Sequence, residues 1–142
     1  MGLNVELLQQ SFAAVAPNGQ QLVDTFYRRL FNDYPAVKPL FQGVDMPKQK
    51  QMLLASLKLV VDNLRKPDVL KDALESMGSR HVDYGARPEH YPAVGATLLA
   101  SLAEVAGNAW NDELEQAWTE AYEVISQTML AGALSCAEVA AT

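Results

Sequence analysis

The sequence predicts an all-α chain, and three observations carry that prediction. Apolar residues recur at steps of three and four along most of the 142 residues, no segment shows the strict alternation of a half-buried strand, and the hairpin dipeptides Asn-Gly and Asp-Gly occur once, as Asn18-Gly19, between two helical patterns. The length suits a single domain, residues 1–142, that buries its core without disulfides or structural metal.

The elements follow in order. Leu8, Phe12 and Val15 form the first apolar stripe, which Pro17-Asn18-Gly19 ends with a tight corner. Leu22 or Val23 with Phe26, Tyr27 and Leu30 form the inner face of a second helix, ended by Asn32-Asp33-Tyr34-Pro35 because a residue before proline avoids helical angles. A short helix is expected over Pro35 to Phe41. Pro47 suits the first position of a long helix running to about Leu64, with Leu53, Leu57, Val60 and Leu64 facing inward. Pro67 opens a helix in which Leu70, Leu74, Met77 and His81 step by four, three and four. Tyr84-Gly85 is a helix stop and Pro88 a start, for a helix lined by Tyr91, Val94, Leu98, Leu102 and Val105 in which Gly95 admits a close backbone. Asn111 or Asp112 caps a last helix burying Leu114, Trp118, Ala121 or Tyr122, Ile125 and Met129, with fraying expected after about residue 131.

Composition narrows the function. Hydrophobic residues make up 49%, charged residues 20%, and the net charge is -6, a balance unsuited to non-specific nucleic-acid or anionic-membrane binding, which need clustered Lys and Arg. The single cysteine, Cys136, excludes an intrachain disulfide and any cysteine-only zinc or iron–sulfur site, and reads either as a buried packing residue or as an exposed thiol for intermolecular contact. Met1 to Glu6 carries no basic residue of a secretory leader. The longest uncharged stretches, His90 to Ala103 and Val124 to Ala137, are shorter than the roughly 20 apolar residues of a membrane span. No membrane span and a cytoplasmic location are therefore expected.

Two histidines are present, so an imidazole-bound cofactor must use His81, His90 or both. His90 lies in the first turn of its helix between Glu89 and Tyr91, where solvent is expected. His81 continues an apolar stripe, and periodicity alone leaves it either a hydrogen-bonded core histidine or a ligand. The surrounding pattern is more specific: Ser76-Met77-Gly78-Ser79-Arg80-His81, then Tyr84-Gly85, then Pro88-Glu89-His90-Tyr91-Pro92-Ala93-Val94-Gly95 and Leu98-Leu99. It resembles the proximal segment of globins, above all the globin domain of bacterial flavohaemoglobins and related single-domain bacterial haemoglobins, and more distantly neuroglobin. The likeness extends over essentially the whole chain.

The resemblance implies a globin fold of seven to eight helices in a three-on-three arrangement around a b-type haem. It makes His81 the proximal iron ligand, with Leu74 and Met77 excluding solvent and Tyr84 near the cofactor. Tyr91 matches the tyrosine that supports the histidine in flavohaemoglobins, whereas Ala133 stands at the position of the supporting glutamate, so a strongly electron-donating ligand is not expected. Phe41, in Pro39-Leu40-Phe41, matches the phenylalanine stacked on haem. Tyr27, in Thr25-Phe26-Tyr27-Arg28, matches a distal tyrosine that can donate a hydrogen bond to bound oxygen and slow its release.

The distal helix departs from the pattern. An ungapped count from Phe41 brings Lys48 to the position usually held by histidine or glutamine, with Met52 one turn deeper against haem; a shift of one residue offers Gln49, and Gln51 lies nearby. Lys48 reads either as a solvent-facing lysine near a haem propionate or as a distal iron ligand, which requires it to lose its proton first. The implied function is binding of oxygen, nitric oxide or carbon monoxide, with nitric oxide dioxygenation if a separate, unidentified reductase supplies electrons. The alternative is a six-coordinate redox or gas sensor or an electron-transfer protein; a haem-free helical module is the third reading.

Overall fold

A computed structural model of the chain describes residues 4–83 and 90–141. Six α-helices and three 3₁₀ segments account for most of these residues, with no strand among them: α1 Val5–Val15, a 3₁₀ turn Ala16–Asn18, α2 Gly19–Asp33, a 3₁₀ segment Pro35–Phe41, α3 Met46–Asp62, α4 Pro67–Asp83, α5 His90–Ala106, a 3₁₀ turn Gly107–Ala109 and α6 Asp112–Ala141. The expected short helix at Pro35 is thus the tighter 3₁₀ form, seven residues long with Pro39 inside it. The expected stop at Tyr84-Gly85 and start at Pro88 lie outside the described residues.

Local chemistry explains the helix ends. The Asn4 side chain accepts from the Leu7 amide at 3.2 Å, that of Asp45 from the Lys48 amide at 3.4 Å, and that of Asn111 from the Leu114 amide at 2.9 Å, so three helices begin on side-chain caps. Asp45 moves the start of α3 one residue ahead of Pro47, which still sits in the first turn, where its missing amide does no harm. Gly107 leaves α5 through a left-handed conformation, φ 59°, open to glycine at little cost. The expected tight corner at Gly19 is different: its φ of -56° is helical, and the glycine serves instead to admit Leu54, whose Cδ2 would lie 2.7 Å from a Cβ placed there.

The predicted inner faces are buried. Leu8, Phe12 and Val15 of α1, Leu22, Val23, Phe26, Tyr27 and Leu30 of α2, Leu98 and Leu102 of α5, and Trp118 and Ala121 of α6 all exclude solvent. Most of them join one cluster with Leu57 and Val61, and the Trp118 indole N–H donates to Ser11 Oγ at 3.0 Å, tying α6 to α1. A second cluster holds Val60, Leu70, Leu74 and Met77 against Ile125 and Met129, where α4 packs along α6. At two points these helices approach too closely for any side chain: a Cβ on Gly78 would lie 1.8 Å from the Met129 carbonyl oxygen, and one on Gly132 would lie 2.1 Å from that of Glu75. At Gly95 the neighbour is a side chain rather than the expected backbone, the Tyr122 ring at 2.5 Å from a built Cβ. The backbone of α6 stays helical to Ala141, past residue 131 where composition predicts fraying.

Helices α2 and α5 are clasped by Glu104, whose carboxylate takes Arg28 at 2.8 Å and Arg29 at 2.6 Å. Those two guanidinium groups, Arg29 foremost, hold its carboxyl below the ordinary carboxylate range against a smaller opposing effect of burial. A carboxyl with a depressed folded-state pKa stabilises fully above its unfolded value, about 4.3 for glutamate, and loses that contribution as pH falls through the folded value. Glu104→Gln is therefore expected to lower the urea midpoint at pH 7 and to converge with the parent near pH 3. Equal midpoints at pH 7 would remove the clasp from the stability account.

Candidate functional site

On α4 the histidine side chain is oriented by its own helix. The Nδ1 of His81 lies 2.6 Å from the Met77 carbonyl oxygen. A carbonyl only accepts, so Nδ1 is the donor, which selects the tautomer whose lone pair lies on Nε2, the nitrogen through which such an imidazole can bind a metal. Met77 serves twice, because its side chain is also buried in the α4–α6 cluster. Tyr91, the second residue of α5, is buried; burial raises its phenol above the ordinary tyrosine range, and its backbone carbonyl accepts from the Tyr122 hydroxyl at 2.7 Å. His90 is half-buried rather than fully solvated.

A second group of residues gathers on α2, the 3₁₀ segment and α3. Tyr27 is buried with its ring 5.6 Å from Phe41 and 5.9 Å from Phe31, and Phe31 and Phe41 are themselves 5.3 Å apart in an edge-on arrangement. The Gln49 amide donates to the Tyr27 hydroxyl oxygen at 3.2 Å. Burial raises the Tyr27 phenol above its usual value, more than the bond from Gln49 lowers it, so the hydroxyl is protonated at neutral pH. Since Gln49 fills an acceptor site of that oxygen, the phenolic hydrogen is left to point at another acceptor.

Of the distal side chains left open by the sequence, Gln49 is the one bonded to Tyr27. Lys48 and Gln51 are exposed, and the Lys48 amide belongs to the cap made by Asp45. Met52 is 47% exposed and so is not packed in the protein core, as is Leu59 at 42% one stretch further along α3. Tyr84 lies outside the described residues, as does the side chain of Ala133. Among the described residues no group of three or more His, Cys, Asp or Glu side chains could hold a bare metal ion, and no helix is long and apolar enough to cross a membrane.

This donor set fits an iron porphyrin. It offers one imidazole whose Nδ1 is anchored on its own helix, and a polar pair set among aromatic rings.

A globin family profile matches residues 24–129. The chain belongs to the globin family. Membership brings with it haem and the binding of diatomic gases. The globin is similar to the flavohemoprotein of Chromobacterium violaceum, 37% identical over 126 residues, and to that of Rhizobium meliloti, 33% identical over 119 residues. These alignments cover 87% and 82% of this chain but 31% and 30% of the relatives, so the chain spans about a third of the length of the curated proteins it matches. Among solved structures it resembles an engineered carbene transferase made from a Rhodothermus marinus protein assigned as a nitric oxide dioxygenase, with TM-score 0.87, 27% identity, and coverage of 97% of this chain and 96% of that one. A bacterial globin from Campylobacter jejuni aligns with TM-score 0.82 and 25% identity over 94% and 96% of the two chains.

Sequence reasoning left some of this globin's polar framework unseen. Periodicity reports which residues face inward and is silent on which polar tips meet, so the Glu104 clasp and an ion pair between Asp24 and Lys50 at 2.9 Å carried no signal. The corner after Phe41 has a variable length in the pattern, so counting from that residue could not choose between Lys48 and Gln49.

Proposed function

We propose that this globin holds a b-type haem through Nε2 of His81 and retains oxygen, or nitric oxide or carbon monoxide, beside Tyr27. When bound, the haem would supply an iron centre able to take up a diatomic gas. The observation that carries the reading is the bond from Gln49 to the Tyr27 oxygen, because it leaves the phenolic hydrogen for the gas. Met77 fixes the tautomer of His81, and Phe41 and Phe31 keep water from the tyrosine. Tyr91 is assigned to the proximal side as a buried support near the start of α5, and Lys48, which is exposed, to the solvent-facing rim rather than to the iron.

The likeness to flavohemoproteins and to an assigned nitric oxide dioxygenase supports a catalytic extension in which nitric oxide, oxygen and one electron yield nitrate, the electron arriving from a reductase. The charge balance and the absence of a membrane-spanning helix among the described residues fit a cytoplasmic setting.

The test is the oxygen dissociation rate. A buried hydrogen bond to a partly charged acceptor is worth about 1.5–3 kcal/mol, so Tyr27→Phe is expected to release oxygen roughly 10- to 100-fold faster, and Gln49→Leu to change the rate less. An unchanged rate in Tyr27→Phe rejects the tyrosine as the retaining group. Without gas, the reduced protein is expected to show one broad visible band; sharply split bands would point to an internal sixth ligand and to sensing or electron transfer.

A further inference from the structure

Helices α2 and α3 meet along a seam with three successive links. Gly19 lies against Leu54, Asp24 Oδ1 is 2.9 Å from Lys50 Nζ, and the Gln49 amide reaches the Tyr27 hydroxyl at 3.2 Å. Asp24 and Tyr27 are three residues apart, hence neighbours on one side of α2, and Lys50 directly follows Gln49. The ion pair therefore braces the same two helices less than one turn from the distal hydrogen bond. Among the described residues these are the two polar side-chain links between α2 and α3.

We propose that Asp24 and Lys50 are positioning residues whose ion pair holds Gln49 against Tyr27 and so sets how long the distal side retains a diatomic gas. The inference rests on the reading of Tyr27 as the group that donates to the gas. The Lys50 side chain is 26% exposed and that of Asp24 50%, and the Gln20 amide donates to the same Asp24 oxygen at 3.0 Å, steadying the carboxylate on its own helix. Without the pair, the Lys50 end of α3 loses one of its two polar links to α2, and a glutamine with three rotatable bonds is held less firmly against Tyr27. A partly exposed pair is screened by salt, so gas retention becomes sensitive to ionic strength.

The experiment uses the haem-loaded full chain, with Asp24→Asn, Lys50→Gln and the exchanged double variant Asp24→Lys with Lys50→Asp, beside Tyr27→Phe. Two quantities are read between low and high salt: the oxygen dissociation rate and the C–O stretching band with carbon monoxide bound, which reports the field that Tyr27 exerts. The single variants are expected to release oxygen about two- to fivefold faster, to move the C–O band upward and to lose the salt dependence of the parent, while the exchanged pair restores both readouts. If Tyr27→Phe alters rate and band but the single variants alter neither, the ion pair has no positioning role. If the single variants act but the exchanged pair does not restore them, the effect is not electrostatic and the proposal is overturned. If Tyr27→Phe changes nothing, the reading of the distal tyrosine fails and this proposal falls with it.

Discussion

His81→Ala is expected to abolish stable haem binding, while His90→Ala retains it. The chain has two imidazoles, and of these His81 has its Nδ1 proton committed to the Met77 carbonyl at 2.6 Å, which keeps the lone pair on the nitrogen that would face a metal. Groups that only orient a metal ligand are worth about 10–100-fold in affinity, so removing the ligand itself is expected to cost at least about 100-fold. The measurement is the Soret band of each purified variant after haem addition, repeated with free imidazole. Recovery of the band when imidazole fills the space vacated in His81→Ala identifies that space as the proximal position. A parental Soret band in His81→Ala without imidazole would remove the histidine from the site.

Gly78→Ala is expected to be the most damaging single-methyl change in the helical framework. In a helix interior the substitution normally gains about 0.5–1 kcal/mol, because alanine loses less backbone freedom on folding. Here the added carbon would lie 1.8 Å from the Met129 carbonyl oxygen and 2.5 Å from its carbonyl carbon, both backbone atoms of α6 that cannot rotate away. Helices α4 and α6 must then separate, opening the cluster of Val60, Leu70, Leu74 and Met77. Overpacking of this kind costs about 1–3 kcal/mol, occasionally more, and the backbone clash argues for a net loss of about 2–3 kcal/mol even after the gain in propensity. Urea midpoints of the parent, Gly78→Ala and the exposed-site control Ser76→Ala measure it. Equal or higher stability in Gly78→Ala would show that the two helices are not held at this separation in solution. His81 lies one turn beyond Gly78, so the same variant is also expected to weaken haem retention.

The physical origin of each feature sorts what the chain alone made readable. Helix positions followed from local rules: apolar spacing marked the inner faces, Pro35 and Pro67 marked ends and starts, and Asn111 fits a cap because the bond it makes lies within its own turn. The family was legible for the same reason, since Met77, His81 and the residues around Tyr91 form a continuous run of local sequence. Gly19 and Gly95 were legible only as glycines; the neighbours that require them, Leu54 and the Tyr122 ring, come from elsewhere in the chain.

What the tertiary structure decided are the meetings between distant residues. Gln49 rather than Lys48 bonds Tyr27 because the packing of α3 against α2 turns Gln49 toward Tyr27 and leaves Lys48 exposed, a rotation that a count along a corner of variable length does not contain. Lys50 finds Asp24 by the same rotation, and Glu104 finds Arg28 and Arg29 across 76 and 75 residues of sequence. The sequence by itself determined which segments are helical, which faces are apolar and that His81 stands in a globin's proximal pattern. The packing of α2 against α3 and of α4 against α6 decided which polar groups touch, because hydrogen bonds and ion pairs are fixed by distance and direction in space, while periodicity encodes only the side of a helix.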